Sequence, residues 1–198
     1  MTTSTPWGPA QHVRKIADGI TECSTASHGG ILISAERKAA MPDCLRNLKP
    51  YAGALAYEED QDWALVALAF PEHFDPRRCW YALKTVRGAT DPGARDWLPP
   101  HLRGPAWPLD LAAYLDTDAG QALQAKADQY AAATAGLFEP GTWGTDGRTC
   151  TQWARCAVTG AEIKISYPAG SRSHVSGAFA LADVPTLFPG STVEELPS

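Results

Sequence analysis

The sequence predicts an α+β fold, with small antiparallel sheets built from hairpins and packed against several helices. Two pairs of β-prone runs flank turn residues, 20–24 with 31–34 and 149–158 with 161–167. Helical patterns lie between the two pairs. The order is hairpin, helices, hairpin, without the strand–helix–strand alternation of a parallel sheet.

Residues 9–18 read as a short helix, because Pro9 suits the first helical position and Gly19 the stop. Val13 and Ile16 would face inward, with Arg14 and Lys15 in water. The first hairpin turns through 25–30, where Gly29 and Gly30 permit the positive φ a reversal needs. Ser34 then caps a helix over 35–41 that Pro42 closes. The run 63–70 is wholly apolar and ends at Pro71. Periodicity does not separate strand from helix there, but its length and its bracketing by acids and proline favour a buried strand.

Asp75-Pro76 starts a helix reaching about Arg87, with Cys79, Trp80, Leu83 and Val86 on one face. Residues 88–108 form a Pro/Gly-rich connection that Trp97 and Trp107 pin to the core. Within a single domain, 1–198, this connection can separate an N-terminal α+β part (1–87) from a C-terminal helix-plus-hairpin part (109–198). Asp110 caps a helix over 111–115, and Thr117 or Asp118 caps a longer one with Leu123, Ala127, Tyr130 and Thr134 on its inner stripe. Residues 139–147 carry turn chemistry. Ile163 and Ile165 alternate with polar residues, as in a half-buried strand. The Gly-, Ser- and Pro-rich tail from Pro168 is expected to wrap the surface.

With 198 residues, 44% apolar and 20% charged, the chain lies in the globular range. Its 17 basic and 22 acidic side chains give a formal charge of −5. That sign argues against direct nucleic-acid binding, and the charge is too mild for a nucleic-acid mimic. There is no run of 18 apolar residues for a membrane span and no basic-then-apolar leader, so a cytoplasmic location is expected. Five scattered cysteines without a C-x-x-C pair read as reduced, buried small hydrophobes. The absence of a P-loop, of G-x-G-x-x-G after a strand and of G-x-S-x-G leaves the cofactor unknown and gives no support to nucleotide or serine-hydrolase chemistry.

Two segments can carry chemistry. In Cys23-Ser-Thr-Ala-Ser-His28-Gly-Gly30, the imidazole of His28 can serve as general base or metal ligand, while Ser27, Gly29 and Gly30 let a ligand approach the backbone. The alternative is a turn whose glycines serve the reversal and whose histidine tips into solvent. In Tyr57-Glu-Glu-Asp60-Gln-Asp62-Trp63, the carboxylates of Glu58, Glu59 and Asp60 repel one another unless solvated, paired or holding a cation. The alternative there is a solvated acidic turn. Together, His28 with Glu58, Glu59 and Asp60 makes a candidate catalytic set, provided the two segments meet. A third feature is basic: Arg77 and Arg78, interleaved with aromatics and followed by Trp97, offer a surface for a phosphate or an acidic partner, the alternative being an ordinary solvated helix face.

The string Thr5-Pro-Trp-Gly8, Gly19-Ile20, Ser24-Thr-Ala-Ser-His-Gly-Gly30, Ser34-x-Glu36-Arg37, Met41-Pro42 and Tyr57-Glu-Glu-Asp60-x-x-Trp63 resembles an uncharacterised domain of phage, plasmid and integrative-element proteins, over about residues 5–75. The resemblance implies a setting in mobile DNA, with no known reaction and no assigned catalytic residues. Two functions are expected from these readings. The first is a mobile-element accessory protein in the host cytoplasm that binds a host protein or nucleoprotein, such as an inhibitor of host defence of the anti-CRISPR kind. The second is a small metal-assisted or general acid/base hydrolase using His28 with Glu58, Glu59 and Asp60.

Overall fold

The computed structural model describes residues 4–90, 107–170, 175 and 177–196. It shows an α+β chain that divides into two compact units, Met1–Tyr130 and Ala131–Ser198. Most of the Pro/Gly-rich connection, including Trp97, lies outside the described residues.

The first unit opens with a ribbon of β1 (Ser4–Thr5) and β2 (Gly8–Pro9), closed by a 2.8 Å bond from Thr5 Oγ1 to the Gly8 carbonyl. Next come β3 (His12–Ala17), β4 (Ile20–Ser24) and β5 (Gly29–Ile33), an antiparallel meander. Helices α1 (Ala35–Ala40) and α2 (Asp43–Arg46) lead to β6 (Ala56–Glu58), which completes a sheet of order β3-β4-β5-β6. The remaining elements are helical: α3 (Trp63–Ala69), α4 (Pro76–Thr90), α5 (Leu111–Leu115) and α6 (Asp118–Thr134).

The caps form where the side-chain chemistry calls for them. Ser34 Oγ accepts from the Arg37 N–H at 3.2 Å, Asp75 Oδ1 from Arg78 at 2.8 Å and Asp110 Oδ1 from Ala113 at 3.0 Å. Each satisfies one of the amide groups that a helix start leaves without an internal partner.

Two expectations fail in this unit. The helix expected over 9–18 is strand β3. Residues 12–15 are all exposed, so no helical face gains from burial, and Gly19, at φ +73°, makes the tight turn that sends the chain back as β4. Across the pair, Arg14 stands opposite Glu22 and donates to its carboxylate at 2.6 Å. The strand expected over 63–70 is helix α3. Every residue from Ala64 to Ala69 is buried, and a helix buried all round shows no apolar period by which to recognise it.

Helix α3 is the centre of the first core. Tyr114 donates its hydroxyl to the Leu68 carbonyl at 2.7 Å, and Lys126 donates to the carbonyls of Pro71 and Phe74 at 2.8 and 2.7 Å. The Leu68 carbonyl near the end of α3, and two carbonyls in the stretch that follows it, are thus satisfied by the later helices.

The second unit is a sheet of order β10-β7-β8-β9-β11, built from β7 (Leu137–Thr145), β8 (Thr149–Cys156), β9 (Glu162–Pro168), β10 (Phe179–Ala180) and β11 (Thr192–Leu196), with helix α7 (Val184–Leu187) between the last two. The β8–β9 hairpin and the inward alternation of Ile163 and Ile165 match the sequence expectation. Residues 139–145 do not form a free turn. They continue β7 through a bulge between Pro140 and Trp143, which the buried Gln152 amide fills by donating to the Gly141 and Thr142 carbonyls at 3.2 Å. Nor does the tail merely wrap the surface. It supplies both edge strands, while Phe179, Val184 and Phe188 enter the core.

Among the described residues no helix is long and apolar enough to cross a membrane. All five cysteines are free thiols, four of them buried, but Cys44 is exposed rather than packed as expected. Burial pushes the Cys79 thiol up to about 11, despite the nearby cations Lys126 and Arg78. Since the thiolate is the reacting form, iodoacetamide should label Cys44 in the folded protein and spare Cys79 until urea unfolds it. Peptide mass mapping checks this, and early labelling of Cys79 would contradict the packing described.

Candidate metal centre

The β5–β6 ladder brings the two chemistry-bearing segments together. Gly30 pairs with Glu58 and Ile31 with Tyr57, and the Glu59 N–H donates to the Gly29 carbonyl at 3.1 Å. His28, one residue before β5, therefore meets the residues at the end of β6. One ligand atom from each of His28, Glu58 and Glu59 lies within 4.8 Å of the others. His28 and Glu59 are exposed and Glu58 is half-buried.

The histidine is presented by a short, closed turn. The Thr25 N–H and hydroxyl both donate to the His28 carbonyl, at 2.7 and 2.8 Å, and the His28 N–H returns to Thr25 Oγ1 at 3.2 Å. The backbone of His28 is fixed while its ring stays in solvent. Ser27 lies exposed in the same turn.

Both glycines are required by close approach. A Cβ on Gly29 would lie 2.6 Å from Glu59 Oε2 and 2.8 Å from the Cys23 carbonyl. On Gly30, at φ +153°, it would lie 2.2 Å from the Tyr57 carbonyl and 2.6 Å from the Trp7 ring. Gly29 thus makes room for a carboxylate of the cluster, and Gly30 for the strand and indole packed over it.

The acidic turn has an internal order. Glu58 Oε2 accepts from the Asp60 N–H at 2.9 Å, and Asp60 itself is not one of the three clustered residues. Burial raises the Glu58 carboxyl above its ordinary range, and the charges of Asp60 and Glu59 act in the same direction against the backbone bonds that lower it. Asp62 is buried and accepts from the Tyr51 N–H at 2.6 Å. Its carboxyl is also raised by burial, in opposition to the backbone N–H groups of Tyr51 and Glu58.

The basic pair is placed differently. Arg78 donates to Glu22 Oε1 at 2.7 Å and lies over the rings of Trp63 and Phe74, at 5.3 and 5.0 Å from their centroids. It ties the start of α4 to β4. Arg77 lies over Tyr81 at 5.6 Å. Trp97 lies outside the described residues. Glu59, Gly30, Glu22 and Arg78 share the lining of a small cavity of about 240 Å³.

A larger cavity, about 620 Å³, adjoins the cluster through Glu58. It is walled by residues 47–49 and 51, 58 and 60–62, and 107–108, three stretches that no single sequence motif connects. Residues such as Leu48 and Trp107 therefore gave no functional signal in the sequence.

Fold and site together define an α+β protein with an imidazole and two carboxylates gathered at a sheet end. Residues 1–102 match a family model described as a domain of unknown function (DUF7007), just over half of the chain, and the protein belongs to that family. No curated protein and no solved structure matches it.

The glycine geometry has a measurable consequence. Gly30→Ala should destabilise the protein by about 2 kcal/mol or more, because the clash is with backbone at a positive φ. Urea unfolding checks it, and an unchanged midpoint would contradict the close packing of β5 on β6.

Proposed function

We propose that His28, Glu58 and Glu59 hold a divalent cation, and that this centre performs a metal-assisted or general acid/base hydrolysis. The observation that carries the reading is the approach of three ligand atoms to within 4.8 Å of one another. One nitrogen and two carboxylate oxygens suit a first-row divalent ion. Such an ion supplies a nucleophile near neutral pH by acidifying bound water. It would also relieve the repulsion between Glu58 and Glu59.

A second reading is favoured by a separate observation. β3 is an edge strand, paired on one side only among the described residues, with His12, Val13, Arg14 and Lys15 exposed. An extended segment of a partner can add to such an edge. Under this reading the protein is a mobile-element accessory factor docking on a host protein or nucleoprotein, including a defence antagonist of the anti-CRISPR kind. Val13→Pro would then abolish docking and leave cation binding intact.

Calorimetric titration with Mn²⁺ should show one site. His28→Ala and Glu59→Gln should each weaken it by about tenfold or more, with circular dichroism unchanged because both side chains are exposed. Gly29→Ala should weaken it as well, by displacing the Glu59 carboxylate. No Mn²⁺ binding, or binding indifferent to His28→Ala, would overturn the cation reading.

A further inference from the structure

The 620 Å³ cavity falls within the range of small-ligand sites, about 300–1,000 Å³. Its apolar wall includes Leu48 and Trp107, both more than nine-tenths buried. Its polar lining is one-sided, with the carboxylates of Glu58, Asp60 and Asp62 against the single ammonium of Lys49. Lys49 is exposed and screened by water, whereas Asp62 is only 6% exposed. An opposite charge brought to a buried carboxylate gains more than it would in bulk water. An anionic ligand would meet repulsion, and a neutral one would leave the negative charge of these carboxylates uncompensated. A bare metal ion would leave the apolar wall uncovered.

We infer that this cavity takes a small organic cation with an apolar body, an alkyl- or arylammonium compound, and that it is the substrate pocket of the adjoining centre through the shared Glu58. The assignment as a substrate pocket rests on the cation reading of His28, Glu58 and Glu59. The ligand class rests on the cavity alone.

The test uses the full chain and benzylamine, which is protonated at neutral pH. In chelator-treated protein, benzylamine should shift the indole N–H resonance of Trp107, assigned with Trp107→Phe, in a saturable manner. Benzyl alcohol at equal concentration should leave it in place. Asp60→Asn, a change at an exposed side chain, should weaken benzylamine by about fivefold. Absence of the shift, or equal binding of benzyl alcohol, would overturn the ligand class. With Mn²⁺ added, relaxation of the bound benzylamine protons should quicken. Binding of both without that effect would overturn the substrate-pocket assignment. Failure of Mn²⁺ to bind at all would overturn the cation reading and the substrate role together, while the metal-free titration decides the ligand class separately.

Discussion

The site depends on the closeness with which β5 lies against β6. That ladder spans only three residue pairs, and it is tight because Gly30 has no side chain to hold the Tyr57 carbonyl and the Trp7 indole away. Its consequence runs outward in both directions. Ahead of Gly30, the ladder fixes where the Thr25–His28 turn delivers its imidazole. Beyond Glu58, it fixes where the acidic turn begins before the chain enters α3. The turn is therefore held at both ends, by a sheet on one side and by the most deeply buried helix of its unit on the other.

Several carboxylates in a short stretch would be costly if all faced the same medium. They do not. Asp62 is sunk against backbone N–H groups, Glu58 is half-buried with one oxygen bonded to the next turn, and Glu59 lies along the glycine backbone in contact with solvent. Each environment sets a different balance between desolvation and hydrogen bonding. One run of acids thereby acquires distinct tasks: Asp62 shapes a cavity, Glu59 faces the imidazole, and Glu58 does both.

What the sequence made legible was local. Ser34, Asp75-Pro76 and Asp110 announce helix starts because a cap acts within three residues, and the β8–β9 hairpin is visible because alternation repeats every second residue. The failures have one physical root, that a tertiary environment can erase or imitate a local period. Residues 63–70 read as a strand because burial on all sides leaves α3 no polar face. Residues 12–17 imitate a helix through the spacing of Val13 and Ile16, yet pairing with β4 decides them. Pro140 and Gly141 look like a turn until Gln152, a dozen residues later, supplies the amide that sustains the bulge. The meeting of His28 with Glu58 and Glu59 could be named from the sequence as a possibility. The register that brings it about, and the cavity beside it, required the fold.

The sheet of the second unit has its two outer strands, β10 and β11, drawn from residues 179–196, while the inner three come from 137–168. During synthesis the inner meander emerges first, with both lateral edges bare and without Phe179 and Phe188 to fill its core. Until residues 179–196 leave the ribosome, this half of the molecule is a template for unwanted strand addition by neighbouring nascent chains. A protease that cut the polypeptide after Pro168 would leave both flanking strands held by pairing and packing alone, no longer tethered to the meander.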